Sequence, residues 1–168
     1  MKQTSSFSDE ALMRLALDEA RSCVEAGDVP VGAVIIRGDE VLAAAGNARE
    51  RLQDPTSHAE VLAVREASRR TGSWRLDGCT LVVTLEPCAM CAGAIVLARV
   101  ERLVIGAADP KAGFAGSLGD LVRDARLNHR VELTAGVLAE ECGEVLRAFF
   151  RARRGVEPAA QSSDESPA

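Results

Sequence analysis

The sequence has no tyrosine, one tryptophan and four phenylalanines, so it offers few aromatic platforms on which a planar ligand could stack. No apolar run is long enough to cross a bilayer, and Met1-Lys-Gln-Thr-Ser-Ser-Phe-Ser-Asp-Glu10 lacks the apolar stretch of a signal peptide. The chain is therefore expected to be cytoplasmic and to have no membrane partner. Cysteine is neither abundant nor even in number: there are five, two of them in Cys88-x-x-Cys91. That pattern disfavours a disulfide framework and fits metal binding in a reducing compartment. Cys23, Cys79 and Cys142 read as small buried hydrophobes. Basic charge is also short, with a net charge of −5, which at first sight argues against a nucleic-acid partner. The deficit is uneven, however. Glu157, Asp164 and Glu165 all follow the last basic residue, Arg154, while Arg147, Arg151, Arg153 and Arg154 cluster. A solvated helix face would give the same cluster.

What remains is the composition of one globular domain. A chain of 168 residues, 47% hydrophobic and 27% charged, can bury a core. Ser8 followed by Asp9, Glu10 and an apolar stripe from Ala11 to Val24 predicts a capped helix ending near Gly27-Asp28. Two apolar runs, 31–36 and 41–45, joined by Arg37-Gly-Asp-Glu40, predict a hairpin. Residues 47–55 read as a polar loop, and a helix is expected from about His58 to Arg70, through Val61, Leu62, Val64 and Ala67. Cys79 to Thr84 is a β-branched strand of the doubly buried kind, followed by a helix over about 89–98 and a strand over 100–105. This alternation implies an α/β sheet with helices on its faces. The Gly- and Ala-rich stretch 106–119 reads as a substrate loop. A short strand over 131–134 and a helix from Leu138 to about Arg154 complete residues 1–154, and 155–168 is expected to be a disordered tail.

Chemistry concentrates in Thr56-Ser-His-Ala-Glu60 and Leu85-Glu-Pro-Cys-Ala-Met-Cys91. Alone, the first is a capping box with Ser57 at the N-cap and Glu60 at N3. Alone, the second is half of a structural zinc knot or a redox pair. Together they put one imidazole and two thiols at two helix starts, with Pro87 opening the second helix. Helix N-termini favour thiolate at Cys88 and Cys91. Three ligands, His58, Cys88 and Cys91, with no fourth at ligand spacing, describe a catalytic zinc site with a place open for water. Glu60 then takes and delivers protons at a zinc-activated water. His-x-Glu with Pro-Cys-x-x-Cys is the signature of zinc-dependent nucleobase deaminases.

Over Phe7 to Arg154 the chain resembles the cytidine deaminase superfamily, and more closely the bacterial tRNA-specific adenosine deaminases of the TadA type. Beyond the metal motifs the likeness rests on Val29-Pro-Val-Gly-Ala33, Asn47, Asp54-Pro-Thr56, Thr84-Leu-Glu-Pro-Cys88, Met90-Cys-Ala-Gly-Ala94, Ala115-Gly-Ser-Leu118, Asn128-His-Arg-Val131 and Phe149-Phe-Arg151. The resemblance implies a three-layer α/β/α sandwich of the cytidine deaminase type, with a mixed central sheet of about five strands. It also implies hydrolytic deamination of adenosine to inosine at the wobble position of a tRNA anticodon, typically an arginine tRNA, by a homodimer with one zinc ion per subunit. Asn47 and the backbone near Ala59 would hold the flipped base. Asp109, Lys111 and Asn128 would lie near the anticodon loop, and Phe149, Arg151 and Arg153 on the final helix would close over it. Asn47 and Asn128 also read as turn residues, Asp109 as a loop former before Pro110, and Phe149 and Phe150 as core.

Two other readings share the motif. One is a deaminase of a free base or nucleotide, of guanine or cytidine type, against which the long last helix and Asn128-His129-Arg130 weigh. The other is a catalytically silent module stabilised by zinc, against which an intact Glu60 beside an open metal position weighs.

Overall fold

The computed structural model describes residues 5–155, so the tail expected over 155–168 lies, except for Gly155, outside the described residues. Five strands form one mixed sheet in the order β2-β1-β3-β4-β5. They are β1 (Gly32–Arg37), β2 (Glu40–Gly46), β3 (Cys79–Leu85), β4 (Arg102–Ala107) and β5 (Glu132–Thr134). β1 pairs antiparallel with β2 and β3, whereas β3–β4 and β4–β5 are parallel. The helices are α1 (Asp9–Ser22), α2 (Arg49–Leu52), α3 (Ala59–Thr71), α4 (Ala89–Leu97) and α5 (Ala139–Arg154).

Alternate strand residues face opposite layers, as the two-residue period of a strand requires. Ala33, Ile35, Leu81, Val83, Leu103 and Ile105 pack with Ala59, Ala63 and Ala67 of α3 and with Ala92, Ile95 and Val96 of α4. Val34, Ile36, Val82 and Val104 pack with Leu12, Met13, Ala16 and Leu17 of α1 and with Cys142 of α5. The result is the expected α/β/α sandwich. The buried positions of α3 are Ala59, Glu60, Ala63 and Ala67, with Val64 packed against the same core, so small residues bring this helix close to the sheet. Close approach recurs at Gly32, where a Cβ would stand 1.8 Å from the Ala16 carbonyl oxygen.

Two boundaries also shift. The stretch 47–55 holds a one-turn helix, α2, because the fully buried Asp28 carboxylate accepts from the Glu50 and Arg51 amides (2.6 and 3.2 Å) and caps it from a distance. β4 starts at Arg102, two residues later than expected.

Arg102 ties the layers together. Its guanidinium donates twice to Asp9 in the first turn of α1 (2.7 and 2.6 Å) and once to Thr134 of β5 (2.8 Å). The hydrogen bonds from Arg102 hold the Asp9 carboxyl below the usual carboxylate range, although partial burial opposes them. A depressed folded-state pKa contributes stability that is present above the unfolded value of about 3.9 and is lost as pH falls through the lower folded value. Asp9→Asn is therefore expected to cost about 1 kcal/mol at pH 7. In urea titrations its gap from the parent should close as pH falls below about 4. A gap of constant size would show that the ion pair is not its cause.

Candidate active site

Two helix starts meet at the carboxyl ends of β3 and β4. His58 is the N-cap of α3 and Cys88 the N-cap of α4, both with extended backbone and neither side chain bonded to an amide of the helix it caps. The capping box that the first motif offers when read alone is absent, and the expectation for Pro87 is corrected. Ser57 does not cap α3, because its hydroxyl is already donated to Asp54 (2.8 Å) in the preceding turn, which also engages Thr56. The cap position passes to His58, whose carbonyl accepts from the Leu62 amide (3.0 Å), and Glu60 becomes the second helical residue. Pro87 stands one place before the N-cap, not inside the helix. The imidazole and the Cys88 thiol are thus held by the backbone at two positive helix ends, with their side chains unspent on capping.

The Nδ1 atom of His58 lies 3.6 Å from Cys88 Sγ and 3.4 Å from Cys91 Sγ, and the three donor atoms all fall within 4.8 Å of one another. Tetrahedral zinc with bonds of about 2.0–2.3 Å to nitrogen and sulfur has ligand–ligand edges of about 3.6 Å, so the donor set fits one such ion in type and spacing. It is the one cluster of this kind among the described residues. The other histidine, His129, is bound through Nε2 to the Val100 carbonyl (2.7 Å).

Hydrogen bonds with Cys91, then with His58, pull the Cys88 thiol down to about 3, while the same bond to Cys88, reinforced by burial, raises Cys91. The bond with Cys88 likewise raises His58. Glu60 is 4% exposed, and burial lifts its carboxyl to about 7. A carboxyl of that strength can both accept and return a proton near neutrality.

Beside the cluster is a cavity of about 160 Å³ lined by His58, Glu60, Cys88, Asn47, Arg49 and Asp109, among others. Val29, Leu85 and Asp109 also border a wider groove of about 680 Å³, which Lys111, Arg147 and Phe150 help to wall. The groove continues through the same three side chains to Arg153 and Arg154. The expected site residues fall into groups along this path. Asn47 and Ala59 line the inner cavity, Asp109 lines both spaces, and Lys111 and Arg153 lie on the groove. Asn47 donates through Nδ2 to the Val29 carbonyl (3.1 Å), which fixes its amide. Phe149 is in the interior, edge-on to Phe150 and under the Arg153 guanidinium. Phe150, its neighbour, is not core as the alternative reading had it but exposed, on the groove wall. Arg151 is paired with Glu144 (2.5 Å), and Asn128 is exposed before β5. Neither is among the lining residues.

Sequence reasoning passed over Arg49, Glu86 and Phe150. Arg49 stood in what read as a plain loop. Phe150 and Phe149 are adjacent, and only helix phase separates them. Glu86 did carry a signal, as an acid set directly before the Pro-Cys of a metal motif.

Residues 7–154 match the MafB19-like deaminase family. The chain is 50% identical over 155 residues to the tRNA-specific adenosine deaminase of Bacillus subtilis (strain 168), covering 92% of this chain and 96% of that one. Among solved structures it resembles one from a study of A-to-I editing by tRNA:A34 deaminases at the wobble position of transfer RNA. There the TM-score is 0.78 at 43% identity, over 80% of this chain and 98% of the other. Guanine deaminase from Bacillus subtilis is also similar, with a TM-score of 0.60 at 30% identity over 91% and 98% of the two chains.

Proposed function

The chain belongs to the MafB19-like deaminase family, alongside the tRNA-specific adenosine deaminases, and from that premise we propose that residues 1–154 form one domain that converts adenosine to inosine at the wobble position of a tRNA anticodon. The observation that carries this reading is a three-donor cluster with a buried carboxyl beside it, in a cavity that opens onto a groove lined by Lys111, Arg147, Arg153 and Arg154.

His58, Cys88 and Cys91 hold one zinc ion, which when bound supplies a Lewis acid that brings the pKa of water to about 7. Glu60 takes one proton from the attacking water and delivers it to the ring nitrogen, where it stays; it then takes the second proton from the oxygen now bonded to C6 and delivers it to the amine, which leaves as ammonia as the C6–N bond breaks and the C6=O bond forms. Asn47 and the amide at Ala59, the first of α3, hold the base in the inner cavity. That cavity, narrower than the groove, suits one base turned out of its stack, which a single-stranded loop yields more cheaply than a duplex. Asp109 and Lys111, with Arg153 and its neighbours on α5, meet the flanking nucleotides. Asn128, Phe149 and Arg151 stay in the proposal as supports for that RNA surface. A second copy of the chain packs on the outer face of α4, a helix without charged residues that leaves Met90 and Leu97 exposed. The substrate puts the enzyme in the cytoplasm.

The test is to incubate the zinc-loaded protein with an arginine tRNA carrying adenosine at the wobble position and to read inosine by sequencing, with Glu60→Ala in parallel. Inosine from the parent protein alone is the expected result. Turnover of free guanine or cytidine without any inosine in the tRNA would move the function to a free base.

A further inference from the structure

Glu86 takes no part in the chemistry above, yet it is 3% exposed and all its side-chain partners belong to one loop. Oε2 accepts from the Asp109 amide (3.0 Å) and from the Ser117 hydroxyl (2.5 Å), and Oε1 accepts from the Ser117 amide (3.0 Å). The loop is shaped to reach it. Gly113 passes so close that a Cβ there would stand 1.8 Å from Oε2. A backbone bond runs alongside: Phe114 donates to the Pro87 carbonyl (2.8 Å), within an isolated antiparallel bridge that pairs Cys88 with Gly113.

We infer that Glu86 is a positioning residue that fastens the substrate loop 106–119 to the strand–helix junction bearing the metal ligands. Glu86 and Cys88 are two residues apart on that junction, so the carboxylate sets the distance between Cys88 and Asp109, whose side chains line the same cavity. Asp109 in turn accepts from the Lys111 and Ala112 amides (3.0 and 3.2 Å). A shift of the Glu86 carboxylate is thereby passed to Asp109, Lys111 and Ala112, the loop residues nearest the base and its flanks. This role rests on the proposed RNA substrate for its kinetic consequence but not for its structural one.

Glutamine is the informative replacement. Two backbone amides and a hydroxyl converge on Glu86, and an amide group can offer an acceptor on only one side. In Glu86→Gln at least one loop N–H then faces another N–H. The expected outcome is faster hydrogen exchange at the Asp109 and Ser117 amides, with zinc content held at one per chain. KM for an anticodon stem-loop should rise about tenfold, as expected for one lost bond to a charged group, with a smaller change in kcat. Ser117→Ala removes only the hydroxyl and keeps the question answerable should the glutamine variant fold poorly. It should shift KM in the same direction by a smaller factor, and the double variant should be no worse than Glu86→Gln alone.

Unchanged exchange at both amides would overturn the inference. So would loss of zinc, which would make Glu86 a support of the metal helix, or additive effects of the two substitutions. A parent protein that makes no inosine, together with faster loop exchange in the variants, would fail the RNA reading and leave the fastening role standing.

Discussion

Glu60→Gln is expected to lower turnover by about 10²–10⁴-fold, the usual contribution of a positioned proton-transfer group, with one zinc ion still bound and the anticodon stem-loop still retained. The substitution is nearly isosteric, which matters because Glu60 is enclosed and its neighbours are the metal ligands. An alanine there would leave a hole at the second residue of α3, whereas glutamine keeps the volume and removes only the capacity to carry a proton. Burial lifts the Glu60 carboxyl to about 7, whereas Asp9 and Asp124 are lowered by arginines. Single-turnover kinetics with metal analysis on the same sample provide the check. Turnover within a few fold of the parent, with the metal in place, would remove Glu60 from the mechanism.

Cys91→Ala is expected to abolish both metal retention and turnover. Cys91, the third residue of α4, is fully buried, and its sulfur is 3.4 Å from His58 Nδ1. Without it, the donor set falls to one imidazole and one thiol, too few for a zinc site that must also keep a position open. Stability should fall as well, because a ligand bound only by the folded state adds about 2.7 kcal/mol at a hundredfold excess over its Kd. Emission spectroscopy for zinc and thermal unfolding with and without a chelator measure both effects. The parent should lose melting temperature on chelation, and Cys91→Ala, already lacking the ion, should not respond. Full activity in a variant stripped of metal would sink the assignment.

The sequence made the metal cluster legible because its spacing is local: Cys88-x-x-Cys91 and His58-x-Glu60 each lie within a single turn. Strand periodicity likewise exposed the layers, since Val34 and Ile36 alternate with Ala33 and Ile35. The capping details were hidden because they depend on competition. Ser57 looks like a cap until Asp54 claims its hydroxyl, and Asp28 caps α2 from 22 residues away. The same holds for the substrate loop. Its glycines announced a loop, but nothing in the local pattern said that Glu86, 23 residues before Asp109, would receive its amide. Phe149 and Phe150 could not be told apart without the exact phase of α5 against the sheet.

The placement of His58 has a consequence for how the protein comes into being. The two cysteines belong to one helical turn and meet as soon as α4 forms, but the imidazole is 30 residues away in sequence. It joins them only after α3 has docked across the sheet and the intervening chain has been closed into a ring, at an entropic cost that local structure does not incur. An ion held by all three donors therefore marks a chain in which the starts of α3 and α4 have met, and the occupied site is a record of that long-range docking as well as a tool for the reaction.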